Sequence, residues 1–386
     1  MNSIVITSKA SVSSLGHQAQ KIWERYQSDK CYLNICCFNN EDTASGRLHP
    51  ETLEHVDKIR KENSNYRRLD KSVLMAILAS RICIKNSSWK NMENVGINIG
   101  SSRGATQLFE KYHSHFLNSP KQKISPLTSP TTTLGNIASW VSNDLASNSI
   151  NLSHSITCST ALHSILNACA WINSGMSEQF LAGASESPLT DFTVSQMKSL
   201  GIYTKKTNDW CSMPLQKNAT KNSMCLGEGA SIFGLEKDKG QKRLAKIIGM
   251  GYATEKVDHH TSISDNGESL QKSMRIAIKD LDTKSIDAIV VHAPGTIKGD
   301  QSELTAINKI FGENIPHLIS TKFQTGHTLG ASGGISLDLA IEMINRNELI
   351  TFPYDHHYNT KATQVKTVLV NAIGFGGNAV SLVITK

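Results

Sequence analysis

The residue best placed to act as a nucleophile in this sequence is Cys158. It follows an alternating apolar stretch, Ile150 to Thr157, and precedes a helical run of small and apolar residues, Ser159 to Ala170. The free N–H groups at such a helix start carry partial positive charge, which stabilises a thiolate. We therefore expect a lowered thiol pKa at Cys158 and nucleophilic chemistry. The alternative is a buried, unreactive core thiol, because most free cysteines are of that kind.

Two histidine segments further along the chain can supply proton chemistry to this thiol. Val290-Val-His-Ala-Pro-Gly-Thr296 contains His292, and Thr321-Lys-Phe-Gln-Thr-Gly-His-Thr-Leu-Gly330 contains Lys322 and His327. Both histidines lie in glycine-containing turns. The alternative for each histidine is an imidazole that serves the core or faces solvent, and for Lys322 it is an ordinary surface lysine.

These segments belong to a strand and helix pattern that occurs twice in the chain. Three pairs of strand-like runs correspond: 94–102 with 287–294, 180–185 with 367–375, and 229–236 with 378–384. A fourth pair joins two turns between a strand and a helix, the elbows 155–158 and 317–322. Helices alternate with these runs, which predicts an α/β fold of mixed sheets covered by helices.

A polar, charged stretch separates two halves, so we predict domains at residues 1–238 and 239–386. Residues 31–70 and 110–130 are polar and predict irregular insertions. In a duplicated fold both sets of strand ends can face one cleft, which would bring Cys158 to the histidines.

Composition limits the classes of function and partner. Of the 386 residues, 40 are basic and 33 acidic, which gives a formal net charge of +7. This charge suits an acidic partner, whereas no recognition motif or aromatic stripe indicates nucleic acid. The 8 cysteines are scattered without a CxxC pair, so we predict no zinc site, no disulfide framework and a reducing, cytoplasmic location. The N-terminal residues do not have a signal-peptide pattern and no apolar run could span a bilayer, so we expect a soluble protein.

The chain also carries eight short segments whose order and spacing follow those of a known enzyme family. They are Arg67-Arg-Leu-Asp70, Ile124-Ser-Pro126, Thr157-Cys-Ser-Thr160, Gly227-Glu-Gly-Ala230, His292 to Glu303, Ser320-Thr-Lys322, Gly326-His-Thr-Leu-Gly-Ala331 and Gly374-Phe-Gly-Gly377. In these segments the sequence resembles the beta-ketoacyl-acyl-carrier-protein synthases of the elongating, Cys-His-His type. The likeness runs nearly end to end. It implies the thiolase fold, in which duplicated halves form an α-β-α-β-α layered arrangement with mixed sheets.

The resemblance implies a decarboxylative Claisen condensation. By this analogy Cys158 accepts an acyl group as a thioester, because a thiolate is both a strong nucleophile and a reasonable leaving group. Neutral His292 and His327 then hydrogen-bond the malonyl thioester oxygen and stabilise the enolate that forms as carbon dioxide leaves. Lys322 orients His327, and Glu303 is its expected ion-pair partner, since a buried lysine requires pairing.

The same likeness assigns further residues and partners. The backbone N–H groups of Cys158 and Phe375 would form an oxyanion hole, and the Phe375 ring would gate the acyl pocket, although a plain core phenylalanine is the alternative. Thr296 would contact a pantetheine arm. The implied partner is acyl carrier protein, which carries both substrates on phosphopantetheine, with no other cofactor and no metal. The family also implies a homodimer, or a heterodimer with a ketosynthase-like partner. The expected carrier-docking residues are Arg67, Arg68, Lys123 and Lys206.

Three positions depart from the family pattern. Pro294 replaces a threonine of the usual His-Gly-Thr-Gly-Thr motif, which leaves Thr296 alone for the pantetheine arm and removes a backbone N–H. Ser336 stands where the family has an acidic residue, and Ile373 stands where it usually has phenylalanine. We therefore expect a specialised synthase in fatty-acid-like, polyketide, polyene or aryl-polyene synthesis rather than the housekeeping fatty-acid enzyme.

Other functions within and outside this fold stay open at the level of sequence. One is a non-catalytic chain-length partner of a ketosynthase heterodimer, against which the retained Cys158 argues. A thiolase or a coenzyme-A-primed synthase is another, and initiating synthases generally have asparagine where this chain has His327. A cysteine hydrolase would need an acid-base-orienter set and water access. Acyl length, unsaturation and primer depend on the shape of the pocket.

Overall fold

The computed structural model describes residues 3–256, 263–357 and 364–386. Within these ranges we find no helix that combines the length and the apolar composition of a membrane span. The strands are β1 Ile4–Val12, β2 Asn34–Phe38, β3 Glu41–Ser45, β4 Gly96–Gly100, β5 Asn151–Leu152, β6 Gln179–Glu186, β7 Gly229–Lys237, β8 Ala245–Thr254, β9 Ala288–Val290, β10 His317–Ile319, β11 Thr367–Gly374 and β12 Asn378–Thr385. The α-helices are α1 Ala19–Tyr26, α2 Pro50–Glu62, α3 Lys71–Lys85, α4 Thr106–Asn118, α5 Thr128–Thr132, α6 Asn136–Asp144, α7 Thr160–Ser174, α8 Asp191–Ser199, α9 Glu268–Ala277, α10 Ile297–Phe311, α11 Lys322–Thr325 and α12 Ser332–Arg346.

The two halves of the main sheet have the same strand order. Ten strands run β10-β9-β11-β12-β8-β1-β7-β6-β4-β5. In each half the outer pairs are parallel and the inner pairs are antiparallel. Strands β1, β4, β5, β6 and β7 therefore correspond to β8, β9, β10, β11 and β12, which confirms the predicted duplication. The division after residue 238 stays a prediction.

A short antiparallel contact joins the halves into one sheet. Residues Ile4 to Ile6 of β1 pair with Ala245 to Ile247 of β8. The sequence predicted separate mixed sheets, and this three-residue pairing makes them continuous. In each half the sheet still has an outer face and an inner face, and helices cover both.

Helices form three layers around the sheet. On the outer face of the first half lie α3 and α6, on that of the second half lies α9 with α10 packed on it, and α7 and α12 lie between the halves. This is the predicted α-β-α-β-α arrangement. Helix α12 is buried over almost its whole length, including Ile335, Leu339, Ile341 and Ile344, which recur at helical spacing.

The starts of α7 and α12 pack closely against each other. A Cβ at Gly333 would lie 2.9 Å from Leu162 Cγ, and one at Gly334 would lie 3.2 Å from Ala161 Cβ. Larger residues would push the two helix starts apart. Because Cys158 precedes α7, and the segment that carries the second histidine precedes α12, this contact brings the chemistry of both halves together.

The predicted irregular insertions are wrong in one respect, because they contain regular structure. Residues 31–70 form the β2–β3 hairpin and helix α2. Asn39 and Asn40 turn the hairpin with φ of 49° and 63°, as a two-residue turn with left-handed residues requires. Residues 110–130 continue α4 to Asn118. Few side chains of α2 and α4 are buried, so no wide apolar stripe marked these helices in the sequence.

Candidate active site

A strained turn holds Cys158 in front of α7. Thr157 has φ of 46°, a left-handed conformation that is costly for a β-branched residue. Its Oγ1 donates to the carbonyl of Phe375 at 3.2 Å, and its own carbonyl accepts from Thr160 Oγ1 at 2.7 Å. The predicted elbow is therefore present, and hydrogen bonds from both halves fix it.

Gly374 brings the second half against this elbow. A Cβ at Gly374 would overlap Thr157 Oγ1 and lie 2.8 Å from the backbone nitrogen of Cys158, so the approach requires glycine. The next residue, Phe375, is half-buried and lines the same cavity as Cys158. This location suits a gate, and the oxyanion-hole role of Phe375 stays a prediction.

The carboxylate of Glu303 holds the backbone that carries His292. Oε1 accepts from the N–H of His292 at 3.0 Å, and Oε2 accepts from the N–H of Ala293 at 2.7 Å. Asn371 Nδ2 also donates to Oε1, at 3.0 Å. Burial raises the pKa of Glu303, while these hydrogen bonds oppose the rise. Glu303 therefore positions His292 through its main chain.

Lys322 binds the same stretch of backbone. Its Nζ donates to the carbonyl of His292. The predicted ion pair with Glu303 is wrong in its geometry, because the Glu303 oxygens are occupied by N–H donors and act on the ammonium only through space. Burial lowers the pKa of Lys322 to about 8, and the charges of Glu303, Cys158 and Asp300 oppose this change.

His327 is fixed by a short backbone pairing. Its N–H donates to the carbonyl of Cys225 at 2.7 Å, and its carbonyl accepts from the N–H of Gly227 at 3.0 Å. The ring lies edge-on to that of His292, with centroids 5.2 Å apart and planes at 78°. In the part of the chain that the structure describes, the Nδ1 atom of each ring is buried without a hydrogen-bond partner.

Both histidines are neutral at physiological pH, as the resemblance implied. Burial lowers the pKa of His292 and of His327 well below the ordinary histidine value, and the charge of Lys322 lowers each pKa further. The neighbouring His327 adds to the effect on His292. Neutral imidazoles can donate a hydrogen bond to a developing negative charge.

The expected direction of the Cys158 pKa is wrong. Burial raises the pKa of the thiol to about 12, the charge of Lys322 lowers it, and that of Glu186 raises it. The site removes the sulfur from water, and this desolvation outweighs the favourable helix start. Cys158 is therefore a thiol at neutral pH.

One cavity of about 270 Å³ brings the predicted chemistry together. Cys158, His292 and His327 all line it, as do Thr296 and Pro294. The predicted convergence of the two halves is therefore found. The motif segments and departures named in the sequence also include Lys298, Gly299, Ser302, Leu329, Ile373, Gly374 and Phe375 of the lining. The lining residues that no motif marked are Met197, Leu200, Ile202, Asn222, Met224, Ile263 and Leu270.

The four predicted docking residues occupy different places. Lys206 is exposed beside a second cavity of about 610 Å³, which shares Asn222 with the active-site cavity. Arg67 and Arg68 are exposed on a 3-10 turn, and Lys123 is exposed after α4. These three do not line either cavity. Their docking roles stay predictions.

The departures from the family pattern have local consequences. Ser336 is buried and its Oγ has no hydrogen-bond partner among the described residues, so it does not extend the network behind Lys322. Asp338, two residues later, binds Lys9 at 2.5 Å instead. Ile373 forms part of the cavity wall.

Comparison with known families agrees with this site. The model of the beta-ketoacyl synthase N-terminal domain matches residues 1–240, and that of the C-terminal domain matches residues 244–353. The chain belongs to the beta-ketoacyl synthase family. Relatives include 3-oxoacyl-[acyl-carrier-protein] synthase 2 of Staphylococcus aureus (strain COL), 27% identical over 417 residues that cover 99% of this chain and 98% of the relative. The enzyme of the same name from Vibrio cholerae serotype O1 is 27% identical over 412 residues, or 98% of each chain.

Solved structures share the fold of this beta-ketoacyl synthase. A beta-ketoacyl synthase from Burkholderia phymatum STM815 has a TM-score of 0.85 at 22% identity and covers 100% of both chains. A type II polyketide ketosynthase in complex with its acyl-carrier protein has a TM-score of 0.86 at 19% identity, with 100% and 99% covered. The protein is thus an acyltransferase-type condensing enzyme with the predicted thiolase fold.

Proposed function

We propose that this beta-ketoacyl synthase joins an acyl group held on Cys158 to a malonyl unit, with loss of carbon dioxide. One observation carries the proposal: a buried thiol from the first half and two neutral imidazoles from the second half line a single cavity. Neutral donors beside a thiol suit the stabilisation of an enolate. A hydrolase would need an oriented acid-base pair and access for water.

In the first half-reaction the Cys158 sulfur attacks the thioester carbonyl of the acyl group. A carbon–sulfur bond forms to Cys158 as the bond to the pantetheine sulfur breaks. The proton of the Cys158 thiol ends on the departing pantetheine thiol. Because the resting thiol is protonated, the proton leaves during attack, and a neutral histidine in the same cavity can relay it. The charge of Lys322 favours the transient thiolate.

In the second half-reaction the malonyl group loses carbon dioxide. The electron pair of the broken carbon–carbon bond becomes an enolate, whose oxygen accepts hydrogen bonds from His292 and His327. The enolate carbon attacks the acyl carbonyl on Cys158, and the bond between that carbonyl and sulfur breaks. The Cys158 thiolate then takes up one proton and returns to the thiol.

Backbone N–H groups would hold the oxygen of the acyl carbonyl during both attacks. We assign this role to Cys158 and Phe375, because the close contact of Gly374 with the Cys158 nitrogen places the two backbone segments side by side. Thr296 remains the proposed contact for the pantetheine arm. Its Oγ1 also accepts from the N–H of Gly299 at 3.3 Å as the N-cap of α10, which leaves its hydroxyl hydrogen free to donate.

The proposed partner is acyl carrier protein. A fold neighbour of this chain is a ketosynthase solved with its acyl-carrier protein, and another is a ketosynthase/chain length factor. The net charge of +7 suits an acidic carrier, and Lys206 and Lys298 lie at or beside the active-site cavity. The same proposal includes a dimer, either with a second copy or with a ketosynthase-like chain. It also includes a cytoplasmic location and the use of no cofactor beyond the carrier's phosphopantetheine.

We further propose a specialised pathway, such as polyketide, polyene or aryl-polyene synthesis. The support is that Pro294 and Ile373 both form part of the cavity wall, where the family pattern has other residues. The role of a non-catalytic chain-length partner is disfavoured, because Cys158, His292 and His327 are all present and assembled.

Mass spectrometry of the intact protein tests the proposal. The chain is mixed with a panel of acyl carrier proteins, and malonyl carrier protein is then added. We expect a mass increase of one acyl group on the wild type and none on Cys158→Ala. The second addition should remove the acyl group from the enzyme and yield a β-ketoacyl carrier protein.

Two histidine variants separate the half-reactions. His292→Ala and His327→Ala should retain acyl loading better than condensation, because both rings are assigned to the enolate. Equal loss of loading in the two histidine variants and in Cys158→Ala would contradict this division of roles. A wild type that no carrier in a broad panel acylates would favour the chain-length partner.

A further inference from the structure

Three backbone segments form a short ladder beside the active-site cavity, and His327 lies on one side of it. The middle segment contains Leu226 and pairs with His327. On its other side the N–H of Gly46 donates to the Leu226 carbonyl at 2.8 Å, and the Gly46 carbonyl accepts from the N–H of Glu228 at 3.0 Å. Gly46 follows β3 directly. The backbone of His327 is therefore joined through the middle segment to the end of β3.

The three segments are in close backbone contact. A Cβ at Gly46 or at Gly227 would lie 2.0 Å from the carbonyl oxygen of Thr325. One at Gly326, which has φ of 65°, would lie 2.8 Å from the carbonyl oxygen of Leu226. Because the backbones themselves touch, a displacement of the middle segment displaces the segment that carries the second histidine as well.

The hydroxyl of Tyr203 takes the place of one hydrogen bond in this ladder. The pairing is parallel, so the next regular hydrogen bond would join the N–H of Leu226 to the carbonyl of Ala44. Instead, the Leu226 N–H donates to Tyr203 Oη at 3.2 Å, and Oη donates to the Ala44 carbonyl at 2.8 Å. Tyr203 is buried. Burial raises the pKa of its hydroxyl, which therefore keeps the hydrogen that the second bond needs.

The segment that carries this hydroxyl also borders the reaction site. Tyr203 pairs with Met224, and the N–H of Thr204 donates to the Met224 carbonyl at 2.7 Å. Ile202 and Met224 both line the cavity that contains His327. The hydroxyl is thus held from both sides within one residue of the cavity wall, and none of the roles assigned above uses it.

We propose that Tyr203 is a positioning residue for the second half-reaction, whose hydroxyl holds the ladder so that the His327 ring keeps its place beside His292 as the enolate forms. Without the hydroxyl a buried N–H and a buried carbonyl have no partner, and the backbone shifts to satisfy them. Cys158 is not part of this ladder, so acyl loading depends on it much less. The inference rests on the proposed function only in assigning His327 to the enolate.

The first test compares the two half-reactions in Tyr203→Phe, which keeps the ring and removes the hydroxyl. Mass spectrometry should show acyl loading close to the wild-type rate. The rate of β-ketoacyl formation should fall by up to roughly a hundredfold, the cost of misplacing a reacting group by about 1 Å. Tyr66→Phe is the matched control, because Tyr66 is equally buried and its hydroxyl donates to Asp144 at 2.6 Å, away from the ladder. Both of its rates should follow the wild type.

A double variant shows whether the effect passes through His327. If it does, adding Tyr203→Phe to His327→Ala should leave the residual condensation rate of His327→Ala unchanged. A further loss by the factor seen in the single variant would overturn the inference, since a general loss of structure acts in both backgrounds. Equal losses of loading and condensation in Tyr203→Phe would overturn it as well.

Hydrogen exchange tests the ladder without any substrate. The amides of Leu226, Gly227 and His327 should exchange in one common opening of the wild type, measured by mass spectrometry with fragmentation that resolves single residues. All three should exchange faster in Tyr203→Phe and unchanged in Tyr66→Phe. Independent opening at His327 and Leu226 in the wild type would overturn the inference, which keeps it testable if Tyr203→Phe does not fold. A wild type that no carrier acylates would contradict the proposed function and leave the exchange result in place.

Discussion

At the scale of single residues, burial decides the protonation states of the site. It raises the pKa of Cys158, lowers the pKa of Lys322 to about 8, and lowers the pKa of His292 and of His327. Every one of these shifts favours the neutral form, as removal from water does. At neutral pH the site therefore holds the thiol and both imidazoles uncharged, whereas Lys322, with a pKa of about 8, is mostly protonated.

The rate of condensation should not depend on protonation of His292 or His327 in the ordinary pH range of histidine. A histidine whose pKa is lowered is neutral at all pH values above that lowered pKa, so the donors persist through the ordinary histidine range. With Cys158 already acylated, we expect the rate of β-ketoacyl formation to change little from pH 8 to about pH 6. Rapid-quench assays with malonyl carrier protein measure this rate. A loss of half the rate near pH 6.5, where an unshifted histidine titrates, would contradict the assignment.

The sequence predicted which residues meet and, through the resemblance, that both histidines are neutral, but the expected direction of the Cys158 pKa was wrong. The types and spacing of Cys158, His292 and His327 were enough to expect one site. The direction of the Cys158 pKa depends on everything that covers the sulfur, including residues from α8 and from the segment 200–224. Those residues carry no motif, so the desolvation and their part of the cavity wall could not be read from the sequence.

At the scale of elements, the site depends on close contacts between backbones. The start of α12 packs on the start of α7 through Gly333 and Gly334, and the turn after β11 packs on the elbow through Gly374. At each contact the glycine contributes no side chain that could move to relieve a displacement. Small displacements of one element therefore reach the reacting sulfur directly.

Gly374→Ala should damage both half-reactions in a folded protein. The added methyl group overlaps Thr157 Oγ1 and displaces the elbow that carries Cys158. A displacement of about 1 Å costs roughly a hundredfold in rate, which stopped-flow or mass-spectrometric acylation assays can measure. The matched control is Gly135→Ala, where a Cβ meets nothing within 4 Å. Acylation at the wild-type rate in Gly374→Ala would show that the elbow does not need this contact.

Helices and strands that bury one apolar face were predicted from the sequence, whereas more exposed elements were missed. The apolar run of α7 was sufficient to predict that helix, and the three predicted pairs of strands, which are β4 with β9, β6 with β11 and β7 with β12, were correct. Helices α2 and α4 were missed because their exposed surfaces leave few apolar positions. The β2–β3 hairpin was missed because its turn uses Asn39 and Asn40 instead of an asparagine-glycine pair.

At the scale of the whole molecule, an ion-pair cluster in the interior links the halves. Lys9 lies on β1 of the first half, and its Nζ binds Asp338 at 2.5 Å and Glu342 at 2.9 Å on α12 of the second half. Burial lowers the pKa of Lys9, but the two carboxylates outweigh burial and leave the pKa raised. Nothing in the sequence pattern indicated this contact, because it depends on the packing of a strand and a helix that lie far apart in the chain.

Lys9→Met should destabilise the fold strongly. It leaves Asp338 buried without its cation, and loss of one member of a buried pair costs about 3–5 kcal/mol. Urea unfolding followed by circular dichroism measures the free energy of unfolding. Lys21→Met is the control, because Lys21 pairs with Glu51 at the surface and should have little effect. Equal stability of Lys9→Met and wild type would show that the buried pair contributes nothing to the junction of the halves.

The central place of β1 has a consequence for how the protein is made. Both neighbours of β1 in the sheet, β7 and β8, come from the region 229–254. At roughly 5–20 residues per second a ribosome needs about ten to forty seconds to deliver β7 after β1 has emerged. Throughout that interval the apolar stretch Ile4-Val-Ile6 has no neighbouring strand, which makes it a natural binding segment for a chaperone on the nascent chain.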